Sequence, residues 1–136
     1  MNTLDVLAVA ENLPEVLDFI NGRLARAGCP SRIMTQIDVA AEEVFVNISS
    51  YAYHPETGNA QIQVETRANP LTAVLRFSDR GKPYNPLEKP DPNVKLPLRE
   101  RKRGGLGIYM VKQSMDEVAY EYRDGRNVLT IMKRIG

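Results

Sequence analysis

Residues 59–68, NAQIQVETRA, alternate polar and apolar side chains strictly, with Ile62 and Val64 on one side. A period of two predicts a strand. LTAVLRFSD, residues 71–79, predicts a second strand, and Ala68-Asn69-Pro70 between them a short turn. A partial alternation at the start predicts another strand over Thr3 to Ala10. Between these segments the spacing changes to three and four. Val16, Ile20 and Leu24 predict a helix that opens on a capping box of Asn12 and Glu15, with Pro14 in its first turn. Gly28 and Pro30 stop it. Ser31 is placed to cap a second helix reaching about Ala52, with Ile33, Ile37, Ala40, Val44 and Ile48 as its apolar stripe. A third helix is predicted over about 105–115. Strands near 117–123 and 127–134 flank RDGRN, a hairpin turn.

The predicted order is β, α, α, β, β, loop, α, β, β. Strand pairs joined by short turns imply an α/β two-layer sandwich, with a mixed, mostly antiparallel sheet and the helices on one face. The loop, about residues 80–104, holds five of the nine prolines: Pro83, Pro86, Pro90, Pro92 and Pro97. Proline at this density opposes helix and central strand, and a loop this long in a small domain tends to be functional. It ends in Arg99, Arg101, Lys102 and Arg103 against glycines.

Composition narrows the classes. A chain of 136 residues with 43% hydrophobic content is enough for one core, so one domain spanning 1–136 is expected. A formal charge of +1 gives no reason to expect a nucleic-acid partner. One cysteine, Cys29, cannot form an internal disulfide, and one Cys with one His does not make an ordinary zinc site. The N-terminal residues read neither as a secretion signal nor as a membrane span, so a soluble cytoplasmic protein is expected.

Three clusters carry candidate chemistry. Glu43 and Asn47 interrupt the apolar run AAEEVFVNISSYAY. Four residues turn a helix by about 400°, so the two share an edge of it. An Asn oxygen can ligate Mg²⁺, which takes few protein ligands, and a carboxylate one turn earlier can deprotonate a nucleophile. Taken alone, such a pair is more often a solvated helix face, because polar residues four apart are common there. Asp79, at the end of an apolar strand, can accept from an exocyclic amine, and Gly81 permits close approach; a plain β-turn has the same residues. Gly104, Gly105, Leu106 and Gly107 precede IYMVKQSM, and backbone N–H groups at such a helix start can cradle phosphate, with Arg103 adding charge. The alternative is a linker beside a solvated charge run.

As an ordered set, these clusters resemble the GHKL ATPase superfamily with its Bergerat fold, and within it the anti-sigma factor serine-protein kinases. EEVFVNISSYAY resembles the N-box helix, DRGKPYNP the adenine loop, and RGGLGIYMVKQSMDEV the glycine-rich box. The resemblance implies ATP and Mg²⁺ as cofactors. It makes Glu43 the general base and Asn47 the Mg²⁺ ligand. Asp79 would take the adenine amine, with Gly81 beside the ring. Arg103, Gly104, Gly105, Leu106 and Gly107 would hold phosphates, and loop 82–103 would be the ATP lid. It further implies a serine of an anti-anti-sigma factor as substrate, a sigma factor as second partner, and a possible homodimer.

Two positions depart from the pattern. Pro83 stands where many superfamily members have a glycine, and Gly125 is followed by Arg126 where many have threonine. Thr130 lies deeper in the strand. The second departure keeps open a binding module without kinase activity. An ATPase domain of the gyrase or chaperone type is a further alternative, without the transducer domain such machines carry. His54 precedes Pro55 and reads as a turn residue; Tyr51 and Tyr53 read as packing or nucleotide-contact residues, and Met110 and Met115 as core.

Overall fold

The computed structural model describes residues 3–88 and 105–136. Strand β1 is Thr3–Leu7, followed by a 3₁₀ turn over Ala10–Asn12 and helices α1, Leu13–Arg26, and α2, Ser31–Tyr51. Strands β2, Asn59–Arg67, and β3, Thr72–Asp79, come next. Helix α3, Gly105–Ser114, leads to β4, Glu117–Arg123, and β5, Arg126–Arg134. The five strands form one sheet in the order β1-β2-β3-β5-β4. Every pairing among the described strands is antiparallel, so the expected mixed character gives way to a purely antiparallel sheet.

Alternation decides which face is covered. Ala60, Ile62 and Val64 of β2 and Ala73, Leu75 and Phe77 of β3 are buried in the same core as Val16, Ile20 and Leu24 of α1 and Ile37, Val44 and Phe45 of α2. Each large side chain buried this way contributes about 1.5–3 kcal/mol. The opposite face is more polar: Gln61, Gln63 and Arg76 lie there. Glu65 joins them, accepting from Arg76 at 3.0 Å and Arg67 at 3.2 Å. The Arg76 hydrogen bond holds the Glu65 carboxyl below the usual range.

Local signals at the helix starts were overridden. Asn12 does not cap α1 with its side chain; Nδ2 donates instead to Leu7 O at 2.8 Å, tying the helix entry to the end of β1. That same bend ends β1 at Leu7, short of the expected Ala10. Ser31 is the first residue of α2, and Pro30 takes the cap position without a side-chain bond. Met115 is buried, but Met110 is 45% exposed, because the inward positions of α3 fall to Ile108 and Val111. Ile33 is half-buried and packs at the margin of the core.

Candidate functional site

The site lies where α2 meets the ends of β3 and β5. Val44, Asn47 and Ile48 from α2, Phe77 and Asp79 from β3, and Asn127 and Leu129 from β5 line one narrow cavity of about 30 Å³. Ile108 from α3 and Tyr120 from β4 complete its walls, and Lys82, Tyr84 and Pro86 form its rim. Most of the lining is apolar, with a few polar groups converging on it. That is the usual make-up of a small-molecule site.

Asp79 is buried at 6% exposure, and its neighbours explain how a carboxylate is tolerated there. Its Oδ1 accepts from Gly81 N at 2.9 Å and from Asn127 Nδ2 at 2.9 Å. Asn127 faces it across the β3–β5 ladder. The same Nδ2 reaches Lys82 O at 3.0 Å and, more weakly, Gly81 O at 3.4 Å. Asn127 Oδ1 accepts from Tyr84 N at 3.0 Å and from the Tyr120 hydroxyl. The segment after β3 is thereby tied to β4 and β5. Gly81 sits directly under the end of α2: a Cβ there would lie 2.2 Å from Ala52 O, which accepts from Lys82 N at 3.1 Å.

Glu43 lies one turn before Asn47. It lines a neighbouring groove between α2 and α3 with Gln36, Val39 and Met110. Its carboxylate rests against Gly107, where a Cβ would come within 2.1 Å of Oε2. Burial raises the Glu43 carboxyl above its ordinary range, and the charge of Glu42 adds to this.

The structure therefore brings Asn47 and Asp79 to one cavity, and Glu43 and Gly107 into contact beside it. Gly105 is the first residue of α3 and Gly107 falls within its first turn, not ahead of it. Leu106 lies in that turn as well. Arg103, Gly104 and most of the expected lid lie outside the described residues. Tyr53 is a structural pin: its hydroxyl donates to Asn59 O at 2.6 Å and accepts from Arg80 N at 2.8 Å. The ring of Tyr51 tilts against that of Tyr84 at 6.1 Å.

Asn127 escaped the sequence reading. The available signal was a polar residue at an inward position of β5, two residues before Leu129 and four before Ile131. It is the same kind of break in an apolar pattern that singled out Glu43 and Asn47.

The donor set suits Mg²⁺ better than a metal held in a protein cage. Among the described residues no group of three or more His, Cys, Asp or Glu side chains is placed to hold a metal. Asn47 lines the cavity and has one amide oxygen to offer, and Mg²⁺ usually completes its shell with water and phosphate oxygens.

A five-stranded antiparallel sheet covered by helices on one face, with a cavity between helix α2 and the ends of β3 and β5, defines the GHKL class with the Bergerat fold. The chain belongs to the Histidine kinase-like ATPase domain family, whose model matches residues 6–133. It is 26% identical over 130 residues to the serine/threonine-protein kinase BtrW of Bordetella bronchiseptica, covering 96% of this chain and 91% of that protein. It is 25% identical over 115 residues to the serine-protein kinase RsbW of Bacillus thuringiensis, covering 79% of this chain and 72% of that one. In structure it is similar to the RsbU and RsbW domains of Rv1364c from Mycobacterium tuberculosis, with a TM-score of 0.68 and 14% identity. That likeness covers 99% of this chain and 33% of the longer one, and it shows the fold. No helix among the described residues is long and apolar enough to cross a membrane.

Proposed function

We propose that residues 1–136 form one ATP-binding domain that acts as an Mg²⁺-dependent serine-protein kinase and anti-sigma factor. The carrying observation is the arrangement on one helix edge: Asn47 lines the cavity shared with Asp79, and Glu43, one turn away, touches the first turn of α3 at Gly107. The kinase names of the two relatives support the reaction class. The anti-sigma role rests on the motif resemblance.

In this reading Asp79 receives the adenine amine and the start of α3 receives phosphate oxygens. Asn47 would hold Mg²⁺, which neutralises phosphate charge when bound. Glu43 takes the proton of a serine hydroxyl on the partner protein. The serine oxygen forms a bond to the γ-phosphorus as the bond to the bridging oxygen of ADP breaks. Phosphoryl transfer needs mainly positioning and charge neutralisation, so these few groups are a sufficient set. A carboxyl raised by burial is a better proton acceptor than an ordinary glutamate, which supports Glu43 in this role. The partners would be an anti-anti-sigma factor carrying the serine and a sigma factor that is sequestered.

The test is transfer of labelled phosphate from ATP to a candidate anti-anti-sigma protein with Mg²⁺ present. Wild type is expected to label it, and Glu43→Gln to lose at least about a hundredfold in rate, within the range general-base catalysis supplies. Calorimetry on both proteins separates the second reading, a module without kinase activity. ATP binding without transfer, unchanged in Glu43→Gln, would select that module. No ATP binding at all would overturn the kinase and favour a pure interaction domain.

A further inference from the structure

We infer that Asn127 is the residue that makes the cavity selective for an amino-bearing purine, by fixing which oxygen of Asp79 is used. This inference rests on the nucleotide reading above and extends it to a residue outside the three sequence motifs.

The amide orientation follows from its surroundings. Nδ2 faces three acceptors: Asp79 Oδ1, Lys82 O and Gly81 O. Oδ1 faces the Tyr84 N–H and the Tyr120 hydroxyl. Turning the amide over would set an oxygen against a carboxylate and two carbonyls, and an NH₂ group against the Tyr84 N–H. The network therefore permits one orientation.

Two consequences follow for Asp79. Both donors, Gly81 N and Asn127 Nδ2, fall on Oδ1, so Oδ2 is spent on neither. The carboxylate is held by two directed bonds at 2.9 Å and cannot turn without breaking both. A carboxylate fixed this way presents a pure acceptor to the cavity. It rewards a base that offers N–H and opposes a base that offers a carbonyl oxygen, whose lone pairs would face a buried anion. Buried polar sites discriminate most strongly against the analogue that leaves them unpaired. The carbonyl end of Asn127 has a second task. It holds Tyr84 N, and so sets the segment after β3 that forms the cavity rim.

The two tasks separate by substitution. Threonine and valine have the same shape, and both lack the carbonyl that holds Tyr84 and Tyr120. Only threonine can still donate to Asp79. The experiment measures Kd for ATP and for inosine triphosphate, which carries a carbonyl in place of the 6-amino group, with Mg²⁺, in wild type, Asn127→Thr and Asn127→Val. Thermal unfolding of each protein is followed in parallel. The expected result is an ATP preference of at least about tenfold in wild type, matching the 1.4 kcal/mol or more that a hydrogen bond to a charged group supplies. Asn127→Thr should keep most of it, and Asn127→Val should fall to within about threefold of no preference. Equal preferences in the threonine and valine proteins would overturn the inference, even if both bind more weakly than wild type. If neither variant folds, Asn127→Ser and Asn127→Ala make the same comparison with smaller side chains.

A second readout needs no nucleotide. Hydrogen exchange at the Tyr84 amide should be slow in wild type and at least about tenfold faster in both variants. A wild type that binds neither triphosphate would sink the nucleotide reading. The exchange result would then decide the role of Asn127 in holding the rim, and unchanged protection at Tyr84 in Asn127→Val would overturn it.

Discussion

Gly107 on α3 lies against the carboxylate of Glu43 on α2, so closely that a Cβ at position 107 would sit 2.1 Å from Oε2 and 2.9 Å from Cδ. The contact fixes how near the first turn of α3 can come to the helix edge that carries Asn47. A side chain at 107 would need the Glu43 carboxylate to move aside.

Gly107→Ala is therefore expected to cost less than about 1 kcal/mol, because the end of the glutamate side chain can swing aside and alanine gains about 1 kcal/mol over glycine within a helix. Denaturant unfolding measures it. The atom in the way is the end of a glutamate side chain, so removing that side chain should remove the clash. The cost of Gly107→Ala in a Glu43→Ala background should fall by at least about 0.5 kcal/mol, as for residues in direct contact. Strict additivity of the two changes would show that Glu43 and Gly107 do not touch.

The raised Glu43 carboxyl predicts a pH effect of definite sign. Burial, with Glu42 second, places its folded-state value above the unfolded one. The native state thus binds the proton more tightly. Its contribution to stability is fully present below the unfolded value, ordinarily about 4.3, and is lost as pH rises through the folded value. Glu43→Gln cannot ionise. The difference in urea midpoint, variant minus wild type, should therefore be smallest near pH 4 and grow toward neutral pH. A difference that stays flat over that range, or shrinks, would show that Glu43 is not raised.

Gly81→Ala tests the other close approach. Its Cβ would meet Ala52 O at 2.2 Å and Ala52 C at 2.6 Å, and these are backbone atoms at the end of α2. Relief requires moving the helix end or the segment after β3, which carries the Gly81 N to Asp79 bond. A loss of at least about 2 kcal/mol is expected, toward the upper part of the overpacking range. No second-site truncation should rescue it, in contrast with Gly107→Ala. Unfolding curves of Gly81→Ala alone and combined with Ala52→Gly decide this, since Ala52→Gly removes only the Cβ, 2.8 Å away. Full recovery in the pair would refute the backbone clash.

The sequence by itself determined the elements and their buried sides, because both rest on short-range periodicity. Ile62 and Val64 alternate inward on β2, Val16, Ile20 and Leu24 line α1, and all five are buried. The hairpin signal at 124–125 sits between β4 and β5, where both residues have positive φ, 55° and 77°. A break in the helical period also pointed to Glu43 and Asn47, and an acid at the end of an apolar strand to Asp79. Tertiary structure decided what each break faces. Asn12 had a capping pattern, but the nearby Leu7 carbonyl took its side chain. Met110 fits the composition of a core, yet the rotation of α3 against α2 leaves it outside. The placement of β5 beside β3 brings Asn127 opposite Asp79. These two residues are 48 apart along the chain. A pairing over that distance depends on the packing of every intervening element, so no local pattern encodes it.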